Sequence, residues 1–259
     1  MIKIFDSACH PTISGKWKTK FKVYDSSFQL LNKNIKKNNF YKVCALGLYN
    51  FENYEHKIFF KKCSMYPNMI PVAGINPNIE NLEDELLKII KIGYKIVKIH
   101  PRISSLNLKS LKFINCLKLL EKNNLKLMLC TYPFGKLNKV QKYDFFDLIN
   151  NAFSKIKSLK TVLLHGGSVR LLEFAEFVRN NPDNFLLDLS MTMQKYRGSS
   201  IEQDIRFLFK NFDERICIGS DHPEFSLKRL RSDFNYYSKN ISKKKKENIS
   251  FKNLNNFLS

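Results

Sequence analysis

The chain has 259 residues, 44% of them apolar, which is enough for one sizeable core, and no apolar run approaches the ~20 residues that cross a membrane. Its formal charge is +21, from 44 Lys and Arg against 23 Asp and Glu, a balance that suits nucleic acid, anionic membrane surfaces or acidic substrates. Lys far outnumbers Arg, however, and is spread along the chain. Base reading and bidentate phosphate contact favour Arg, so the composition argues against nucleic acid. The dense run Lys243-Lys244-Lys245-Lys246 reads as a solvated loop. The six cysteines form no CxxC pair, and Cys44 and Cys217 sit inside apolar runs as small hydrophobes. With no signal-peptide pattern at the start, a reduced, soluble, cytoplasmic protein is expected.

Short apolar runs of strand type recur at 2–5, 42–48, 70–75, 94–99, 125–129, 160–164, 184–188 and 215–219, each bounded by Gly, Pro, Asn, Asp or His. Between them lie helical stripes. Leu82, Leu86, Leu87, Ile90 and Ile92 form one, with Glu80, Glu83 and Asp84 near the end where the helix dipole favours acids. Leu108, Leu111, Ile114, Leu117 and Leu120 form another, and Leu171, Leu172, Phe174, Phe177 and Val178 a third. Strands alternating with helices predict a parallel sheet with right-handed crossovers. Eight such units without spare length predict a single (β/α)8 barrel over residues 1–259. An open doubly wound sheet is the runner-up, but the stretch FDSACHP after the first run lacks the Gly-rich phosphate turn such sheets carry.

In a parallel barrel all strands open at their C-terminal ends onto one face. The residues expected just past the strands are Asp6, His10, Asn76, His100, Cys130, His165, Asp188, Ser190, Asp221 and His222. Four of the five histidines fall in this set, and His56 alone reads as a surface residue. Imidazole and carboxylate on a rigid rim suit Zn, Mn or Fe. Hydrogen bonds that merely cap the barrel are the alternative.

With these motifs in view the chain resembles the amidohydrolase superfamily, in its amidohydrolase-related, decarboxylase-like branch. FDSACHP, GYKIVKIHP, VLLHGG and RICIGSDHP carry the resemblance, and ENISFKNLNNFL is similar to that branch's closing helix, which would make Asn248 and Asn253 structural. The resemblance implies a (β/α)8 barrel with metal ligands on strands one, five, six and eight. Aligned on Asp6, the first-strand pattern Asp-x-His-x-His keeps His10 but places Ala8 where its first His belongs. Cys130 stands at the fifth-strand His, His165 at the sixth-strand His, and Asp221 at the eighth-strand Asp, ligand or proton shuttle. The implied cofactor is one divalent metal, Zn before Mn or Fe, held by His10, Cys130, His165 and Asp221. His100 falls where a polar or basic residue faces the site.

The function so implied is a metal-dependent hydrolase that cleaves a C–N or C–O acyl bond of a small polar, anionic or sugar-like substrate. Metal-activated water would attack with help from Asp221, and His165 and His100 would complete the catalytic set. A decarboxylase or lactonase fits the same residues, as does a silent barrel with a degraded site that binds a ligand or partner. Arg102, Arg170 and Arg197 follow strand ends and are candidates to hold the substrate, together with Asn76 and with Trp17 in the long first loop. Lys98 shares the face of His100 by the period-two rule, yet an ion-paired or surface Lys is the simpler reading. A homodimer is open.

Overall fold

Strand β1 is Ile4–Cys9, buried along its whole length. In the computed structural model, which describes residues 2–134 and 144–259, it begins a parallel sheet of eight strands in sequential order. The others are β2 (Phe40–Leu46), β3 (Met69–Ile75), β4 (Ile96–Ile99), β5 (Lys126–Cys130), β6 (Thr161–Leu164), β7 (Phe185–Asp188) and β8 (Ile216–Cys217). The first and last strands meet through a Cys9–His222 bridge, with Ser7 N donating to Ile218 O at 3.1 Å. Gly219 permits that closure, because a Cβ there would lie 2.3 Å from Ser7 Oγ. The α/β barrel is therefore the observed architecture.

Strand parity sorts the core into two clusters. Val97, Ile99, Leu127, Leu129, Leu163 and Leu187 face the helices, whereas Phe5, Ile96, Met128, Val162, Leu164 and Leu186 fill the interior. Lys98 follows the inward parity of Ile96, and Cys130 that of Met128. The helical stripes appear at Leu82–Ile92, Leu111–Lys122 and Leu171–Asn180. The first of these ends on Gly93 at φ 114°, a left-handed position suited to Gly.

Three expectations about local structure need correction. The first strand continues to Cys9, so Asp6 lies inside it and not at its exit. A carboxylate is tolerated there because Asp6 Oδ1 accepts from Ala8 N (3.0 Å) and Ser220 N (2.8 Å). The Lys243–Glu247 segment is a short helix capped by Ser242, not a loop. His56 opens a helix and is largely covered, held between Tyr54 Oη and Glu85 Oε1, each at 2.9 Å. The C-terminal segment behaves as expected. Asn253 Nδ2 donates to Asp213 O and Ile216 O, Asn248 Nδ2 donates to Asp213 Oδ2, and Leu254 joins the barrel-interior cluster. All six cysteines are free and buried. No helix among the described residues is long and apolar enough to cross a membrane.

Candidate active site

At the strand-end face an open pocket is lined by His10, Lys98, His100, Arg102, His165 and Asp221, with Trp17, Tyr132, Lys195 and Glu224 on its walls. The backbone that presents the two sharpest motifs is unusual. His165 and Asp221 adopt left-handed conformations at φ 69° and 58°, which for a non-Gly residue costs on the order of 1 kcal/mol or more. In VLLHGG the left-handed run continues through Gly167 at φ 71°, where a Cβ would strike the Phe174 ring at 2.1 Å. This tight turn puts the His165 ring against the pocket while its amide donates to Asp188 Oδ1 at 3.1 Å.

The His165 ring is fixed from behind. Its Nδ1 lies 3.2 Å from Ser190 O, which can only accept, so Nδ1 carries a hydrogen. Ser190 Oγ, 3.0 Å from the same nitrogen, in turn donates to Asp188. In front, His165 hydrogen-bonds Cys130, which also bonds His100. Burial alone would lower His165, but the charges of Asp221 and Cys130 outweigh it and raise the imidazole to about 9. Burial alone would raise Cys130; His100 and His165 instead hold its thiol well below the ordinary range. The pair is thus an imidazolium against a thiolate.

His10 has the opposite bias. Burial first and the Lys98 charge second push it down to about 4, so its 3.3 Å approach to Asp221 Oδ1 is not an ion pair at neutral pH. Nδ1 lies 3.3 Å from Leu46 O, and Nε2 lies between Lys98 Nζ at 3.1 Å and Asp221 Oδ1 at 3.3 Å. Lys98 is 1% exposed, and burial lowers it to about 8. The carboxyl of Asp221 is held well below its usual range: burial opposes this, and the His165 charge, the His10 contact and Lys98 override it.

Of the residues expected at the site, His10, His100, His165, Asp221, Arg102 and Trp17 do line the pocket, and Cys130 lies beneath it, buried. Trp17 is a wall residue, its ring 5.2 Å from His10 and 4.7 Å from Phe51. Three expected substrate residues are elsewhere. Asn76 Oδ1 accepts from Asn78 N in a local turn. Arg170 pairs with Asp144 and Glu173, and Arg197 with Asp233, off the pocket. His222, although buried on the rim, also misses the pocket, because its neighbour Asp221 takes the inward direction. Lys98 corrects the surface or ion-paired reading: it is a central, buried member of the site, as its shared face with His100 already signalled. Tyr132, Lys195 and Glu224 had no motif to announce them, and only closeness to strand ends could have suggested them.

The expected ligand set is brought together, but not as a metal-holding group. Among the described residues no three His, Cys, Asp or Glu side chains are disposed to hold an ion. Two reasons are visible. Ala8 contributes a methyl group to the interior cluster where a ligand was due, and the Lys98 amine stands at His10 Nε2, the atom that would bind.

Solved structures share this architecture end to end. An uncharacterized TIM-barrel protein from Bordetella bronchiseptica matches with TM-score 0.79 at 14% identity, over 99% of this chain and 98% of that one. An amidohydrolase from Burkholderia multivorans, with zinc bound, matches at 0.70 and 10% identity over 99% of each chain. A dihydroxybenzoic acid decarboxylase from Polaromonas, with manganese and 2-nitroresorcinol bound, matches at 0.70 and 12% identity over 100% of this chain and 97% of that one. The chain has the fold of amidohydrolase-type barrels. No protein-family model matches it, and no curated protein matches it by sequence. The neighbours on this fold include both hydrolases and decarboxylases.

Proposed function

We propose that the chain is an amidohydrolase-type enzyme that hydrolyses a C–N or C–O acyl bond of a small anionic substrate at the strand-end pocket. The observation that carries this reading is the pair His165 and Asp221, an imidazolium and a carboxylate facing one space walled by cations. Lys98, Arg102 and Lys195 favour an anionic ligand. His165 donates a proton to the leaving group, and Asp221 accepts one from the attacking water. The two roles are coupled, because the His165 charge is the foremost influence holding Asp221 down. Asp221 takes its proton as water adds to the acyl carbon, and His165 gives up its own as the adduct collapses and the C–N or C–O bond breaks. Cys130 acts through His165 as a positioning residue, since its thiolate sustains the imidazolium.

Decarboxylation is the second reading, favoured by the decarboxylase among the similar structures and by a pocket that suits a carboxylate. Amides, lactones and carboxylated sugar or aromatic acids form the test panel, followed by mass spectrometry for water addition and by CO2 release for decarboxylation. Turnover with water addition, abolished in His165→Ala, supports hydrolysis. CO2 release without water addition replaces it with the second reading. No turnover across the panel, with ligand binding retained, would instead indicate a silent barrel.

A further inference from the structure

Among the described residues Lys98 is the only buried Lys or Arg. Its amine meets an imidazole nitrogen, His10 Nε2 at 3.1 Å. His10 Nδ1 lies 3.3 Å from Leu46 O, and the Nε2 that meets the amine also lies 3.3 Å from Asp221 Oδ1, so the imidazole is held on both sides. An imidazole anchored from behind by a backbone carbonyl, with its front nitrogen aimed at a cation, has the arrangement of a metal-bound histidine. Burial is the main influence on the Lys98 amine and disfavours its charge, while Cys130, Asp221 and Asp188 favour it and Arg102 opposes it. A thiolate, a carboxylate and an imidazole are the donors a divalent ion would take, and here the imidazole of that set meets an amine carried by β4.

We propose that this donor set holds the Lys98 ammonium in place of a divalent metal ion, so that the resident cation of the pocket is part of the chain. An ammonium and a metal ion cannot share His10 Nε2. To bind there, a metal would have to drive a buried charge out toward Arg102 and Lys195, against like-charge repulsion. Ala8, which offers no donor, removes one of the contacts that could offset that displacement. One N–H of Lys98 is committed to His10, and the others remain for acceptors in the pocket. On the reading of this pocket as an active site, the ammonium is the fixed positive charge against which the substrate's developing negative charge is stabilised.

The test is calorimetric titration of Zn2+ and Mn2+, each alone, into chelator-stripped protein and into Lys98→Met, with circular dichroism to confirm folding. Wild-type protein is expected to bind either metal weakly, with Kd in the millimolar range. Lys98→Met, which keeps an unbranched side chain one atom shorter and removes its charge, should tighten binding by about tenfold or more, and His10→Ala added to it should reverse the gain. One equivalent of metal bound to wild type at ~1 µM or tighter, and lost in His10→Ala, would overturn the proposal. So would a folded Lys98→Met that binds no better than wild type. Should that variant fail to fold, the wild-type titration decides alone. The titration reads no turnover, so a failure of the hydrolase assignment leaves its result standing.

Discussion

Cys130 and His165 stand at the ends of adjacent strands, and each favours the charged form of the other, beside the larger effects of His100 on the thiol and Asp221 on the imidazole. The other five cysteines are pushed up, chiefly by burial. At neutral pH the folded protein should therefore carry one thiolate. Its absorbance near ~240 nm should persist in native protein and disappear in Cys130→Ser. A native spectrum identical to that of Cys130→Ser between neutral pH and pH 8 would refute the pair.

His165→Ala should lower kcat by about a hundredfold to ten-thousandfold, the range for losing a general acid, with a melting temperature close to wild type. In the wild-type enzyme, activity should fall as pH rises through about 9, where His165 gives up its proton. A mutant that retains full turnover, or a profile flat through that range, would remove His165 from the chemistry.

Arg102 and the other expected arginines separate cleanly. Arg102 lines the pocket, with its Nε buried and without a hydrogen-bond partner. Arg102→Met should raise KM for an anionic substrate by about tenfold, roughly the loss of one charge-assisted hydrogen bond. Arg170→Ala and Arg197→Ala should leave KM unchanged, since their partners Asp144 and Asp233 lie off the pocket. Equal effects from all three would mean that substrate approaches along a different wall.

Asp6 offers a test of the barrel interior. Burial is the main cause that raises it to about 6 from an ordinary 3.8, although hydrogen bonds from Ser220 and Ala8 oppose the rise, and its Oδ2 has no partner. A carboxyl whose folded value is raised binds its proton more tightly in the folded state. The contribution of Asp6 to stability is therefore greatest below pH 4, declines as pH rises to about 6, and is then level. The full decline is worth up to about 3 kcal/mol. Asp6→Asn should remove this dependence, so its melting temperature should gain on wild type between pH 4 and pH 6.5. A difference that stays constant over that interval would show that Asp6 is ionised in the folded state.

Much of the barrel was readable because its signals are local and periodic. The apolar runs and the 82–92 stripe report which side of each element is buried, and the structure follows them closely. The errors lie where long-range contacts override local chemistry. Asp6 has the character of a strand exit, yet Ser220 N, 214 positions away, satisfies it inside β1. Arg170 and Arg197 follow strand ends as a substrate-binding residue would, but acidic residues that no motif marks had already claimed them. His165 was legible because its Gly-Gly partner records a backbone demand. Lys98 was half legible: parity gave its direction, while its partner, 88 positions away, could only be found in three dimensions.

The single tryptophan of the chain is Trp17, and it stands on the pocket wall beside His10. Indole emission from this protein therefore originates at one place, on the wall of the strand-end pocket. The molecule carries its own optical gauge. Occupancy can be followed without a label, in equilibrium titrations or in a stopped-flow mixer, and long before any product has been identified.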